Sequence, residues 1–533
     1  MSEAYASQCF DPSWQASNGQ RPLRRTHVLG IGALLMAMAL APAAHGFARS
    51  AYGRGLQESE ARGAQLFEAQ CVLCHGAAGR GDGPAEELLF PAARDFSEGR
   101  FKLASTLNGV PTDQDLVDTL RRGMPGSSMP GWAWMPEQDL QALALHVREL
   151  AVAGIVDDLR ARSSDPVTEL WSRARLLMTP GEPVRLSEET VPSAAVLARG
   201  KKSYLANCAA CHGADGRGKL KPDEGYRWPL DFTQGFLKGG ASHDDIDRRI
   251  QVGMHGTNMP TANIPAAERG ALVAYVRSLI AKGSTQRYVQ RREDLRAQRV
   301  APGAPWEEDD DVRIVLGPLW WRNGSIHGAG VSAMHDGTRV YLRIRWEDDS
   351  PDTPKQAEGE ASPEIYSDSV ALQLSLEEGP PIFGMGPISS IMNIWHWRAT
   401  YVPTAADLMP VTKLMPHGLR KWLIEEDFAD APLYEVVEGP ISMGGETVTA
   451  APAGISLPGG IDPLPSSVSG VASWNEGVWE VILSRPLEAD SDRELELLPG
   501  TQAAINFAIW NGSAGDTRGQ KSVSIWHRLI LEP

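Results

Sequence analysis

The chain has 533 residues, 42% hydrophobic and 22% charged, with 53 glycines and 38 prolines. That balance excludes wholesale disorder, a coiled coil and a collagen-like chain, and the length suggests about three or four domains. The net charge is −16, from 51 Lys+Arg against 67 Asp+Glu, which excludes a generic nucleic-acid binder because phosphate neutralisation needs clustered cations.

Residues 1–48 read as an export signal. A polar stretch leads to Arg24 and Arg25, then an apolar run from Val28 to Leu40, then small residues in APAAHGFA. The run is short for a membrane span, which needs about 20 apolar residues, so cleavage is expected and retention as an anchor is the alternative. In a bacterium this order of segments predicts a periplasmic protein. The arginine pair is a loose match to twin-arginine export.

Cys9 lies in that leader. The other four of the five cysteines form two C-x-x-C-H patterns, Cys71-Val72-Leu73-Cys74-His75 and Cys208-Ala209-Ala210-Cys211-His212. This is the haem c attachment motif: two thiols form thioethers to the vinyl groups and the adjacent His75 or His212 supplies the proximal nitrogen. A zinc knuckle would need a second Cys/His pair in each unit at ligand spacing. A redox C-x-x-C would sit on a thioredoxin-like βαβ pattern. Neither accompanies these motifs, so two covalent haems c are expected.

A Gly-rich loop with a Met-Pro dipeptide follows each motif. Met129 stands 55 residues after Cys74, and Met259 stands 48 after Cys211. A thioether opposite the histidine stabilises ferrous iron and raises the potential. Met124 and Met254 compete for that role, and His255 would make a bis-His site. Met129 and Met259 are favoured because each precedes a proline at the same place in its loop.

The two motifs head an internal repeat. Asp95-Phe96-Ser97 corresponds to Asp231-Phe232-Thr233 at an offset of 136, against 137 for the cysteines and 130 for the methionines. Each unit has an amphipathic stretch running into its first cysteine, a helical segment before the Met loop and a closing helix with an acidic first turn. This arrangement resembles class I cytochrome c domains, over 56–154 and 193–283. Residues 155–192 read as a connector with Ser-Ser-Asp-Pro and Thr-Pro-Gly breaks. Residues 284–311 read as a charged linker, and its terminal EEDDD as a solvated run rather than a calcium site.

From residue 302 the composition changes. This part holds 34 acidic and 15 basic residues, net −19, while the rest is net +3, and eleven of the sixteen tryptophans lie here. The alternating run 340–346 and the run 477–483, rich in apolar and β-branched residues, predict strands, and NIWHWR (393–398) puts Trp395 and Trp397 on one strand face. The expected fold class is therefore multidomain: two all-α cytochrome c domains followed by an all-β sandwich at 312–533.

Five segments of that last part carry a further resemblance. VSAMHDGTRVYLRIRWEDDSPD (331–352), SDSVALQLS (367–375), GMGPISSIMNIWHWRA (384–399), GVASWNEGVWEVILSRPL (470–487) and NFAIWNGSAGDTRGQKSVSIWHRLIL (506–531) fall in order. Together they resemble the haem-binding domain of ethylbenzene-dehydrogenase γ subunits, of the dimethyl-sulfoxide-reductase superfamily. The resemblance implies one non-covalent haem b held between a Met and a Lys. On this sequence they are Met385, between two glycines, and Lys521, in Gly-Gln-Lys-Ser. A lysine ligates iron only when neutral, so its pKa must be depressed. His396 is the alternative to Met385, and Lys413 or Lys421 to Lys521.

No phosphate loop, dinucleotide fingerprint, zinc-protease motif or nucleophile elbow occurs, so catalytic residues are expected to be none. The resemblance implies an electron-transfer subunit. Its haem b would exchange electrons with the iron–sulfur and molybdopterin subunits of an oxidoreductase complex, and its two haems c with a soluble or membrane carrier. The competing reading is a dihaem cytochrome fused to a carbohydrate-binding module, with an exposed Trp320-Trp321 pair stacking on sugar.

Overall fold

The helical repeat is visible first in how its helices begin and end. The computed structural model describes residues 51–533 except 222–225, 229–230, 281–287, 308–309, 323, 353–365, 377–391, 400–432, 438–439, 444–445, 450–467, 490–494 and 517–519. The export signal and Met385 lie outside the described residues. So do Lys413 and Lys421.

The first helical unit comprises α1 (Ala51–Gln70), the one-turn α2 (Val72–His75), α3 (Asp113–Arg122) and α4 (Glu137–Arg162). The helix α5 (Val167–Leu177) follows it. The second unit repeats the pattern with α6 (Ala194–Asn207), α7 (Ala209–His212), α8 (His243–Val252) and α9 (Ala266–Leu279). Thr112 and Ser242 cap α3 and α8, and Asp115 and Asp245 complete a capping box in each. These boxes satisfy two of the amide donors that a helix start leaves without partners. Gly123 and Gly253 end the same helices at φ of +72° and +69°, where a Cβ would be strained.

The closing helices cross the opening ones at matching glycines. A Cβ on Gly63 would overlap the Ala142 carbonyl oxygen, and a Cβ on Gly200 would overlap that of Ala271. Glycine thus lets α1 lie against α4, and α6 against α9, at a backbone separation that no side chain permits. The Arg62 guanidinium donates to both Asp139 carboxylate oxygens at 3.0 and 2.9 Å, clamping α1 to α4.

Two boundaries differ from the sequence reading. The helix α4 runs on through the expected domain end at 154, burying Val156. With α5 it carries Leu170 and Ala174 into the same core. The Ser-Ser-Asp-Pro break is the turn between two packed helices. Asp294–Arg299, inside the expected charged linker, is a strand. Leu295 and Ala297 are buried, while Asp294 pairs with Arg528 and Arg296 with Glu532 on the other face. The charges that suggested a linker are that strand's outward row.

The small hairpin β1 (Lys219–Lys221) and β2 (Tyr226–Trp228) belongs to the second helical unit. Among the described residues, fourteen strands from β3 (Asp294–Arg299) onward form one hydrogen-bonded network, with β9 (Leu433–Val437) at one end and β10 (Pro440–Met443) and β11 (Glu446–Thr449) at the other. One layer contains β5 (Gly328–His335), β6 (Arg339–Glu347), β12 (Ser469–Asn475) and β13 (Val478–Pro486). The other contains β7 (Ser369–Ser375), β8 (Met392–Arg398) and β14 (Gln502–Trp510). Their inner faces share one core, Val331, Leu342, Ile344, Val481 and Leu483 meeting Val370, Leu372, Trp395, Trp397, Ile505 and Phe507. Between the layers, β3 pairs with both β5 and β16 (His527–Leu531). Likewise, β4 (Val312–Pro318) pairs with β5 and β15 (Ser522–Ser524). Asp311, from the acidic run, accepts from Arg343 at 2.8 Å and Arg345 at 3.2 Å, so that end of the run is paired.

Gln57–Pro533 forms one compact unit, and the helical and β parts are packed together within it. The core of the first helical unit is continuous with Ala504, Ile525 and Trp526 of the β region. Among the described residues no helix is long and apolar enough to cross a membrane.

The glycine crossings are testable. Gly63→Ala and Gly200→Ala should each lower stability by about 1–3 kcal/mol through overpacking, read as a fall in Tm of the intact protein. An unchanged Tm would show that the helix pairs separate without cost.

Candidate functional site

The first C-x-x-C-H motif opens onto an apolar cavity that is continuous with solvent at its mouth, the cavity and mouth together enclosing about 1170 Å³. The short helix α2 brings Cys71, Cys74 and His75 to one wall, and the loop after α3 brings Met124 and Met129 to the cavity. Phe67, Leu120 and Val147 are among the remaining lining residues. Burial pushes the Cys71 and Cys74 thiols up to about 12, so both are neutral at physiological pH. Neither they nor Cys208 and Cys211 form a disulfide.

His75 is held by a shell that leaves one nitrogen available. Its Nδ1 donates to the Arg94 carbonyl at 3.0 Å, and its ring stacks on Phe96 at 4.5 Å. Burial lowers its pKa and keeps the imidazole neutral. A backbone acceptor on Nδ1 selects the tautomer whose Nε2 lone pair is free for a metal. Phe96 is placed by its neighbour Asp95, whose Oδ1 accepts from the Ser97 amide and hydroxyl at 2.8 and 2.6 Å.

The second site repeats this construction in part. Asp231 accepts from Thr233 in the same manner, at 2.9 and 2.6 Å, and Phe232 lies 5.5 Å from the His212 ring. Tyr204 donates to the Gly213 carbonyl at 2.7 Å, fixing the end of the motif. Among the described residues His212 Nδ1 has no acceptor comparable to the Arg94 carbonyl, and Cys211 is exposed where Cys74 is half-buried.

The methionine loops correspond bond for bond. Met124 N donates to the Met129 carbonyl and Met254 N to that of Met259, both at 3.1 Å. Ser127 and Thr257 hydroxyls donate to the Met124 and Met254 carbonyls, both at 2.7 Å. In each loop the two methionines therefore lie at the ends of one closed turn. Both first-loop methionines reach the cavity, and Met129 also packs on the unit's core.

Contacts between the two helical units converge on these loops. Lys238 of the second unit donates to the Pro125 and Gly126 carbonyls of the first Met loop, at 3.1 and 2.8 Å. Arg249 donates to the Lys102 carbonyl at 3.2 Å, and Arg94 lies against Gly256 of the second Met loop. Burial lowers the pKa of Lys238 to about 7 and that of Lys102 to about 8. Sequence spacing offered no signal for this basic seam, because its members are scattered over more than 150 positions.

Lys521 lies on the outer face of the second β layer. The alternating residues there include small ones at Ala508, Ala371 and Ser369: Ala508 pairs with Ala371, which pairs with His396, and Trp510 with Ser369, which pairs with Arg398. Lys521 Nζ sits over the Trp510 ring at 4.7 Å, and the His396 ring is 5.0 Å from the same indole. Burial lowers the Lys521 amine to about 8. The structure thus gathers Lys521 and the alternative ligand His396 on one face.

Leu319 joins this face to the first cavity. Its amide donates to the Lys521 carbonyl at 2.8 Å. Its own carbonyl accepts from the Phe90 amide at 2.9 Å and the Ser128 hydroxyl at 2.9 Å. Its side chain packs in one cluster with Leu89, Cys74 and Val523. The Trp320-Trp321 pair, expected to be exposed, is engaged here. Trp320 lies 5.3 Å from the Phe90 ring, and Trp321 is buried among Phe236, Tyr288 and His327, in contact with Phe236 of the second helical unit. Adjacent tryptophans read as a sugar platform because sequence does not show what covers them.

Comparison with known proteins agrees with the repeat. The cytochrome c family model matches residues 60–151 and 197–279, and the ethylbenzene dehydrogenase model matches 443–522. A Haloferax mediterranei protein named as a haem subunit of respiratory nitrate reductase is 24% identical over 211 residues. That match covers 39% of this chain and 58% of the relative, so the chain spans less than two thirds of it. The chlorate reductase γ subunit of Ideonella dechloratans is 21% identical over 235 residues, 42% of this chain and 77% of the relative. A chain in the structure of a reducing HAO-like protein complex of Kuenenia stuttgartiensis is 29% identical, with a TM-score of 0.34, over 41% of this chain and 96% of that one. The chain thus carries cytochrome c domains joined to an ethylbenzene-dehydrogenase-γ-like domain.

The Met loops allow a direct discrimination. Met129→Ala should alter the visible spectrum of one c haem and lower its potential, because a Met ligand raises it. Met124→Ala should leave both unchanged. Spectroelectrochemistry checks this, and the reverse result would move the sixth ligand to Met124.

Proposed function

We propose that the chain is the haem-bearing electron-transfer subunit, of γ type, of a periplasmic oxidoreductase complex, and is not a catalyst on its own. Cys71, Cys74 and His75 would hold one haem c with Met129 as sixth ligand, and Cys208, Cys211, His212 and Met259 would hold the other. Lys521 and Met385 would hold a haem b on the outer face of a β-sandwich. Haem supplies one-electron chemistry, and the protein sets its potential through axial ligand, burial and hydrogen bonding.

The observation that carries this reading is the Leu319 junction. One residue is hydrogen-bonded to the Lys521 backbone and packs in the cluster that contains Cys74. The ligand face and the first cavity are therefore neighbours in one compact unit, and the Lys238 and Arg249 seam adjoins the second site. This arrangement supports the order haem b, first haem c, second haem c. The small Ala508, Ala371 and Ser369 side chains are consistent with a flat macrocycle lying close to the strands, and a lysine lowered to about 8 readily supplies a neutral amine.

The names of the relatives support an assembly with a nitrate- or chlorate-reductase-like enzyme, whose iron–sulfur and molybdopterin subunits would exchange electrons with the b haem. A soluble or membrane carrier would meet the c haems. Export would follow from the 1–48 signal, with a membrane tether only if that segment is retained. Burial of the Trp321 side chain and the Phe90 contact of Trp320 remove the sugar-stacking pair that favoured a carbohydrate-binding module.

A pyridine haemochrome assay with acid–acetone extraction should give two covalent haems c and one extractable haem b per chain. Absence of haem b after expression with ample haem would sink the proposal. Lys521→Ala should abolish the b spectrum while both c spectra persist. Haem b affinity should also fall as pH drops below about 8, by up to about tenfold per unit, because the proton competes with iron for the amine. If the b haem survives in Lys521→Ala and is lost in His396→Ala, the ligand is the histidine.

A further inference from the structure

Three carboxylates meet at one end of the β region, away from the cysteine motifs. Asp348 and Asp352 follow β6, and Asp368 precedes β7. One oxygen from each lies within 4.8 Å of the others. Asp348 is 4% exposed and Asp368 is fully buried. Among the described residues no lysine, arginine or histidine forms an ion pair with any of the three. Asp311 shows the contrast, since its carboxylate is neutralised by Arg343 and Arg345.

The backbone holds the group in place. Asp368 accepts from the Gly512 amide at 2.8 Å, from the Asp352 amide at 2.6 Å and from Trp479 Nε1 at 3.0 Å. Asp352 accepts from the Ser513 amide at 2.6 Å. Gly512 makes this approach possible, because a Cβ there would overlap the Tyr366 carbonyl and crowd Asp352. Asp348 supplies the independent observation. Its Oδ1 has only a long contact from the Ser350 amide at 3.4 Å, and its buried Oδ2 has no well-formed hydrogen bond among the described residues. The donor beside this carboxylate is Trp346 Nε1, which favours the charged form without meeting full hydrogen-bond geometry. A buried carboxylate oxygen without a full donor is costly unless a proton or a cation meets it.

We propose that Asp348, Asp352 and Asp368 form a structural divalent-cation site that takes calcium. The donors are all oxygens, which suits a hard cation and excludes the thiolate- and imidazole-seeking metals. Calcium accepts six to eight oxygens in irregular geometry, so three carboxylates completed by water or carbonyl oxygens suffice. Magnesium demands a tighter octahedron and releases its water reluctantly. The cation ties the end of β6 and the start of β7 to the Gly512–Ser513 turn after β14, the strand that ends in Trp510 beneath Lys521. The site needs no haem to form.

The test uses the full-length holoprotein, purified without chelator. Elemental analysis should find one calcium per chain beside the haem iron. EGTA treatment should remove it and lower the Tm, and added calcium, but not magnesium at equal concentration, should restore the Tm. Asp352→Asn, the least buried substitution, should lose the bound calcium and the EGTA response while both c-haem spectra stay unchanged, which shows that the chain has folded. A wild-type protein with no calcium and a Tm indifferent to EGTA would overturn the proposal. Calcium retained at one per chain in both Asp352→Asn and Asp348→Asn would place the cation elsewhere and overturn it equally.

Discussion

The strand Gln502–Trp510 is buried on both faces, and the rest of the molecule is organised around that constraint. Its inward residues Ile505, Phe507 and Ile509 fill the β core. Its outward residues divide between two tasks. Ala504 is continuous with the core of the first helical unit, while Ala508 and Trp510 belong to the face that carries His396 and Lys521. A strand with two buried faces cannot shift register by one residue without exchanging both sets of side chains. The helical unit, the β core and the lysine site are therefore fixed relative to one another by a single element.

That shared packing bears on the proposed electron relay. Redox centres on separate tethered domains depend on diffusion within the tether, whereas here the proposed neighbours share packed residues. Leu319 is bonded to the Lys521 backbone and to Phe90 and Ser128. The seam of Arg94, Lys102, Lys238 and Arg249 then couples the first Met loop to the second unit. Burial lowers the pKa of all four cations, and Asp95 and Glu98 near Arg94 and Asp115 and Asp245 near Arg249 partly oppose that shift.

The two helical units show what a repeat preserves and what it relaxes. Capping boxes, glycine crossings, the Asp-Phe-Ser and Asp-Phe-Thr turns and the Met-loop bonds recur almost bond for bond. The enclosure does not. His75 has a backbone acceptor in Arg94, whereas among the described residues His212 Nδ1 has none, and Cys211 is exposed where Cys74 is half-buried.

Short-range chemistry was legible in the sequence by itself. Adjacent cysteines and histidines, capping residues, the repeat offsets and the alternation that puts Trp395 and Trp397 in one core all act over a few residues, so spacing determines them. Charge misled where it lined only one face: Asp294 to Arg299 looked like linker because its apolar Leu295 and Ala297 alternate with ion-paired neighbours. The break at 163–166 looked like part of a connector because a turn between packed helices and a turn within a connector share the same residues. Tertiary structure alone decided the rest. The Leu319 junction, the basic seam, the burial of Trp321 and the meeting of Asp348 and Asp352 with Asp368 and Gly512 depend on segments far apart in the chain. Only the folded backbone brings their polar groups within hydrogen-bonding or coordination distance.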